Sequence, residues 1–431
     1  GRRAYPLYRV REMEGPIAKR WEGEGKMETN MTDQPRWPLE GVKVLDLGQI
    51  YNGPYAGFLL AHAGADVIKV EPLDGEVLRK RGGGLGAPFS LTMLNTNKRG
   101  ISINLKHPDG KQLLIDLVKE ADILLENFAP GAMDRLGLGS DVLLRENPRL
   151  IYGSSTGYGL SGPDRDNLAM DLTVQAIGGV MSINGPDDGP PLKAGLAVCD
   201  FAGGVHLYAA IMTALFERSV TGKGRVVEVA MQEAIYPILT SNITSLHGNG
   251  WKHPARRGNK HPTNGSAPYN VYQCADGHVA IICVQEAHWQ NLLELMGRDD
   301  LKDDPRFETQ AIRAQNEHAV DEAVEAWTRT LPKAEAAQLM RENRVPAAMV
   351  RNLEEVTADP HMHERGMLHD VHHPTMGQVV LPTSPLRFHG SPDPSVELEP
   401  GTGAHTDEVL AEWLGMDKAV VETFRKDDAV G

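Results

Sequence analysis

Val42-Lys43-Val44-Leu45-Asp46-Leu47-Gly48, an apolar run from Gly53-Pro54 to Gly64, and then Ala65-Asp66-Val67-Ile68-Lys69-Val70-Glu71 together decide the fold. The first and last segments are short, rich in branched apolar residues and bounded by Gly, which predicts strands. The middle segment has Pro just inside its start and Gly just past its end, the asymmetry of a helix. Strand, helix, strand in that order implies a parallel pair joined by a crossover. The pattern continues outward. Ile101–Leu105 reads as a strand, and Pro108–Ala121 as a helix with Leu113, Leu114, Leu117, Val118 and Ala121 along one face. Asp122–Phe128 and Leu150–Ser154 read as further strands, with Ser140 capping a short helix between them. Helices near Ala169–Val180 and Phe201–Arg218 and a strand at Arg225–Ala230 complete an α/β, Rossmann-like unit built on a parallel sheet.

A chain of 431 residues exceeds what one hydrophobic core organises, so two domains are expected. Residues 1–35 interleave Arg2, Arg3, Arg9 and Arg11 with Glu12 and Glu14, without the apolar stretch of a signal peptide, and read as a tail. Residues 36–247 form the large domain. Residues 248–345 open with an aperiodic Gly, Pro, His and Lys linker and continue as a smaller α+β domain. That domain is expected to hold a hairpin of Tyr269–Gln273 with His278–Val284 and helices near Trp289–Met296, Ala319–Thr330 and Lys333–Glu342. Residues 346–431 carry short strands at Gln378–Leu381 and Leu386–Phe388 and a final amphipathic helix, Thr406–Leu414, and return to the large domain.

The net charge of −14 argues against broad nucleic-acid binding, which needs a basic face. No apolar run reads as long enough to span a bilayer, so no membrane partner is expected. The three cysteines, Cys199, Cys274 and Cys283, have no metal-ligand spacing and fit a reducing, cytoplasmic setting as free thiols. His361, His363, His369, His372 and His373 follow no zinc pattern in what reads as a loop, and solvated or packing roles are expected, with no metal.

The loop after Leu47 lacks the G-x-G-x-x-G spacing of dinucleotide sites. The loose G-x-G-x-x-A at Gly82–Ala87 is not set between a strand and a helix, so it reads as a flexible loop. Lys98, Arg99, Lys106 and Arg135 fall near the carboxyl ends of neighbouring strands, where such folds bind ligands. They read either as an anion site or as solvated surface cations. Asp200 stands among small residues, Ala194-Gly195-Leu196-Ala197-Val198-Cys199-Asp200-Phe201-Ala202-Gly203-Gly204, before an apolar helix. It reads as the helix N-cap, or as a carboxylate nucleophile whose ionised form a helix N-terminus favours.

Gly41–Asp46, Ala65–Glu71, Asn95-Thr96-Asn97-Lys98-Arg99, Asp122–Phe128, Pro130-Gly131, Asn147–Gly153 and the run from Gly189 to Asp200 together resemble the family III CoA-transferases. That family includes formyl-CoA transferase, the carnitine CoA-transferase and the α-methylacyl-CoA racemases, and the resemblance covers about Leu39 to Gly415. It implies an enzyme that moves coenzyme A from an acyl-CoA to a small free carboxylic acid, with Asp200 as nucleophile and an aspartyl-CoA thioester as intermediate. It implies that CoA, as co-substrate, runs along Ile103, Asn104, Leu105 and Lys106, along Asn127, Phe128 and Ala129, and past Arg135. Leu168, Ala169, Met170 and Asp171 are expected beside the thioester, and Tyr51 and Asn52 beside the reacting carbonyl. Oxyanion stabilisation is expected from amides near Gly203-Gly204 or from Asn52. A homodimer of interlocked chains is also implied.

Two departures from the family pattern refine this. The racemases resemble Gly-His-Asp where this chain has Ala169-Met170-Asp171, and Met170 takes no proton, so a two-base racemisation lacks one base. Transfer therefore ranks above racemisation, and above a non-catalytic acyl-CoA-binding role. The segment Gly258–Pro268 does not reproduce the glycine-rich loop of the formyl-CoA transferase branch, which counts against oxalate or formate as substrate.

Overall fold

A computed structural model of the chain describes residues 36–81, 86–252, 256–263 and 265–431. The tail expected over residues 1–35 and the glycines at 82–84 lie outside the described residues. Six strands, β1 Lys43–Asp46, β2 Asp66–Glu71, β3 Arg99–Ser102, β4 Ile123–Glu126, β5 Ile151–Thr156 and β6 Arg225–Ala230, form one sheet. Their order is β3-β2-β1-β4-β5-β6 and every pair is parallel. The order reverses between β1 and β4, and the crevice at the carboxyl ends of those two strands is where such sheets bind ligands.

The inner strands β1, β2 and β4 read as largely apolar runs because both sheet faces are covered there, whereas the edge strand β6 is mostly exposed or half-buried. Alternate residues serve opposite layers. Leu45, Ile68, Ile101 and Leu124 pack under helix α3 (Pro108–Glu120), together with Val409, Leu410 and Trp413 of α10 (Thr406–Leu414) and Val421 of α11 (Lys418–Lys426). Val44, Val67, Ile123, Leu125 and Ile151 face α1 (Asn52–Ala61) and α6 (Val198–Thr221), meeting Leu60, Leu207 and Ile211. Between them lie α2 (Gly86–Asn95), α4 (Ala132–Leu136) and α5 (Asp171–Ile177).

A separate antiparallel sheet, β7 Tyr269–Gln273, β8 His278–Ile282 and β9 Ala347–Met349, packs against α7 (Glu286–Met296), α8 (Glu317–Thr328) and α9 (Lys333–Glu342). Tyr272, Trp289, Leu292, Val320, Val324 and Met340 form its own core. Strands β10 (Leu368–His373) and β11 (Gly377–Pro382) make a hairpin. His369, His372 and His373 therefore lie in a strand rather than a loop, and Leu386–Phe388 is not a strand. Helix α6 corrects another expectation. It has 24 residues and is apolar enough, by length and composition, to cross a membrane; here it lies against β5, β6 and α1.

Beneath α1 lies a fully buried ion pair. Lys98 Nζ donates to Asp46 Oδ2 at 2.7 Å, to Pro54 O at 2.9 Å and to Asn95 Oδ1 at 2.9 Å. Asp46 Oδ1 accepts from Gly48 N at 2.7 Å, and the buried Lys69 donates to Gly48 O. Burial alone would push the Asp46 carboxyl up, but Lys98, Lys69 and these hydrogen bonds hold it below its ordinary range. Burial pushes Lys98 down to about 8 against the pull of Asp46. Gly57 leaves room for the pair, since any Cβ there would overlap Asp46. Removing one partner strands a buried charge, which costs about 3–5 kcal/mol. Lys98→Met should therefore lower the urea midpoint sharply, and Asp46→Leu in the same chain should recover part of the loss. A single variant as stable as the parent would show that the pair is not coupled.

Candidate active site

The β1–α1 loop is tied down from several sides. Gln49 N donates to Asn127 Oδ1 at 2.7 Å and Asn127 Nδ2 donates back to Gln49 O at 3.0 Å, joining the ends of β1 and β4. Ile50 has φ +63°, a left-handed conformation that a β-branched residue adopts only under constraint. Its amide donates to Glu76 Oε2 at 3.3 Å. Tyr51 shares a hydrogen bond with Ser90 and its ring lies 6.2 Å from that of Phe201. Asn52 opens α1 and is buried.

Opposite this loop stands the start of α6. The helix begins at Val198, three residues before the position expected, so Asp200 sits inside the first turn and is not the N-cap. The cap is supplied from elsewhere. Asp171 Oδ1 accepts from Cys199 N at 2.8 Å and from Asp200 N at 3.3 Å, taking up two amides that the helix leaves unpaired. Gln175 Nε2 donates to Asp171 Oδ2 at 2.6 Å and to Leu196 O at 3.1 Å, and Ala194 N donates to Gln175 Oε1 at 2.8 Å. Helix α5 thus pins the segment leading into Asp200. Burial pushes the Asp200 carboxyl up to about 7, and the nearby Asp171 charge adds to the rise. These two effects outweigh the preference of a helix N-terminus for the ionised form.

Gly203 and Gly204 lie in the second turn of α6, where backbone amides belong to the helix ladder. They do not serve as free oxyanion donors. Their role is clearance. A Cβ on Gly203 would overlap Asn52 Nδ2, and one on Gly204 would come within 2.7 Å of Asn52 O.

Two cavities meet at the switch point. The first, of about 160 Å³, brings together Asp200, Asn52, Asn127, Phe128 and Ala129 with Leu168, Ala169 and Met170. The second, of about 430 Å³, is bordered by Ile103, Asn104, Leu105 and Lys106, and by Phe128 again. Phe128 alone of the expected residues faces both. Tyr51, Arg135 and Asp171 border neither cavity; Arg135 is exposed on α4 and Asp171 acts as the cap. Lys98 and Arg99 do not form an anion site. Lys98 is committed to Asp46, and Arg99 to Asp66, Glu408 and Glu412.

Gln49, Ile50, Ser155, Thr156, Arg165 and Met231 also line the first cavity and were not expected there. Gln49 and Ile50 were within reach of the sequence, as neighbours of Tyr51. The others arrive from β5, a loop and the residue that follows β6, with no local signal. Among the described residues no group of His, Cys, Asp or Glu has the arrangement of a metal site.

The Asp171 cap yields a titration test. In a carboxyl-labelled protein, NMR titration should show Asp200 losing its proton near pH 7, and in Asp171→Asn at lower pH, because a negative neighbour has gone. An Asp200 that titrates near 4 in both proteins would show that neither burial nor Asp171 governs it.

Comparison with known proteins places this geometry. The family model described as CoA-transferase family III matches residues 39–406. The chain is 36% identical over 393 residues to a formyl-CoA:oxalate CoA-transferase of Streptomyces coelicolor, covering 88% of this chain and 95% of that protein. It is 34% identical to a succinyl-CoA:mesaconate CoA-transferase of Haloarcula hispanica, covering 89% and 97%. Among solved structures, a CAIB/BAIF family protein from Brucella suis superposes with a TM-score of 0.77 at 32% identity, over 88% of this chain and all of that one. The chain belongs to CoA-transferase family III.

Proposed function

We propose that this transferase moves coenzyme A between carboxylic acids through covalent chemistry at Asp200. The observation that carries the reading is a carboxylate held near neutrality in a cavity at the topological switch point. Ionised Asp200 attacks the thioester carbonyl, the carbon–sulfur bond breaks, and CoA leaves as thiolate, giving an aspartyl–acyl anhydride. The thiolate then attacks the aspartyl carbonyl and expels the free acid, leaving an enzyme–CoA thioester. An incoming carboxylate runs the steps in reverse and departs as its CoA ester. No water is consumed, so the thioester is conserved.

In this reading CoA lies with its far end by Ile103, Asn104, Leu105 and Lys106, passes Phe128, and delivers its sulfur beside Asn127, Ala129 and Asp200. Residues 36–247 and 350–431 then form the CoA-binding large domain, and 248–349 the linker and small domain, whose expected end at 345 moves past β9 because that strand pairs with β8. The first cavity suits short acyl groups. The acids in the relatives' names are also short, and they return formate and oxalate, with acetate, succinate and mesaconate, to the panel to be tried. Met170, where a racemase would hold a base, supports transfer over isomerisation. The three free, buried cysteines support a reducing, cytoplasmic setting.

A homodimer also belongs to this reading. Leu168, Leu172, Leu196, Phe216, Tyr236 and Ile238 are all exposed in the single chain, large apolar side chains that a second copy would cover. Light scattering should give twice the chain mass of 47.1 kDa; a monomer at micromolar concentration would count against the dimer.

Mixing the protein with short acyl-CoAs and measuring intact mass, with hydroxylamine trapping and peptide mapping, should place an adduct on Asp200. The charging rate should rise with pH through about 7, as Asp200 loses its proton. Asp200→Ala should lose transfer by a factor on the order of 10⁴ or more while still binding CoA. Full transfer in that variant would end the assignment.

A further inference from the structure

Asn52 is an anomaly that the oxyanion role expected for it accounts for only by half, because that role would use its donor and leave its acceptor unpaired. Its side chain is buried, at 2% exposure, yet neither Oδ1 nor Nδ2 has a hydrogen-bond partner in the protein. Buried amides are nearly always paired, and leaving one unpaired is costly. The fold goes out of its way to keep this one: Gly203 is the residue that makes room for Nδ2. Asp200 lies three residues before Gly203, on the same helix face, so the amide stands beside the carboxylate.

Ser155 repeats the pattern from the other side. It is 1% exposed near the end of β5, its Oγ has no partner, and it borders the same cavity as Asn52 and Asp200. Whichever way the amide is turned, Asn52 presents one pure donor and one pure acceptor, and Ser155 adds a hydroxyl that can do either. A carboxylate or thioester oxygen satisfies donors only. An alkyl chain satisfies neither. The acceptor oxygen of Asn52 demands a ligand that itself donates a hydrogen.

Resting on the reading of Asp200 as nucleophile, we infer that Asn52 and Ser155 form a polar subsite selecting acids with a hydrogen-donating substituent, a hydroxyl above all, close to the carboxyl esterified to CoA. A site built to hydrogen-bond a substrate hydroxyl discriminates strongly against the analogue lacking it, because its buried polar groups are then stranded.

The test compares matched thioesters. The rates at which 2-hydroxypropanoyl-CoA and propanoyl-CoA, and 3-hydroxybutanoyl-CoA and butanoyl-CoA, charge Asp200 are followed by intact mass. In the wild-type protein at least one hydroxylated member should charge faster than its partner, by about ten- to a hundredfold. Asn52→Leu, close in size but without donor or acceptor, should bring that ratio to near one. Ser155→Ala, which removes a single oxygen, should reduce it several-fold and serves if Asn52→Leu does not fold. A wild-type ratio near one in both pairs, with Asp200 charged, overturns this inference alone. So does a ratio unchanged in the variants, or an equal slowing of both members, which would assign the amide to the shared CoA arm. Failure of all four thioesters to charge Asp200 would remove the nucleophile reading, and this inference with it.

Discussion

The buried pair of Asp46 and Lys98 is the constraint on which the rest of the site depends. Asp46 ends β1, and Lys98 reaches from just before β3 to hold both that carboxylate and the Pro54 carbonyl in α1. At this end of the strand the approach of the helix is thereby fixed by charge in addition to the packing that joins Val44 and Leu60 in one cluster. Such a pair is weak evidence for stability, because desolvation consumes most of the attraction. Its effect is positional. With Gly48 fixed by Asp46 and Lys69, and Gln49 by Asn127, Ile50 is held in a backbone conformation it would not choose. Asn52 follows two residues later and inherits that placement.

A second tension sits at the start of α6. The amides of a helix N-terminus attract negative charge, and Asp171 answers that demand by capping Cys199 and Asp200. The same carboxylate then repels the ionised form of Asp200. One residue both builds the helix end and opposes the charge of the group the helix carries. A carboxylate raised in this way attacks less readily at low pH, but once ionised it is a stronger base and nucleophile than an ordinary aspartate.

Much of the architecture was legible because its signals are local. Strands buried on both faces leave runs such as Val67-Ile68 and Ile123-Leu124-Leu125, and helix α3 shows its single apolar stripe. What escaped was tertiary. The sequence alone starts helix α6 at Phe201 because Asp200 has the side chain of an N-cap; the cap comes instead from Asp171, far back in the chain. Lys98 and Arg99 read from sequence as free cations, ligand-binding or solvated, because their acidic partners are distant in sequence, Glu408 and Glu412 most of all. The histidines lack a local signal for regular structure: His361 and His363 fall in a five-residue helix, and His369, His372 and His373 in strand β10, which is half polar and owes its form to pairing with β11. Most of the expected cavity residues do gather around Asp200 or at the neighbouring cavity. Ser155 and Met231 join them only through the strand order, which no single segment reveals.

The close approach of α1 to α6 leaves a record that can be looked for outside this molecule. Gly203 is required by the volume of the side chain opposite it, not by any special backbone angle, so its constraint is borrowed from Asn52. An alanine at 203 is admissible only where position 52 carries something smaller. Across proteins sharing this arrangement the two positions should therefore change together, while Gly204, which faces the backbone of Asn52, should stay glycine whatever position 52 becomes.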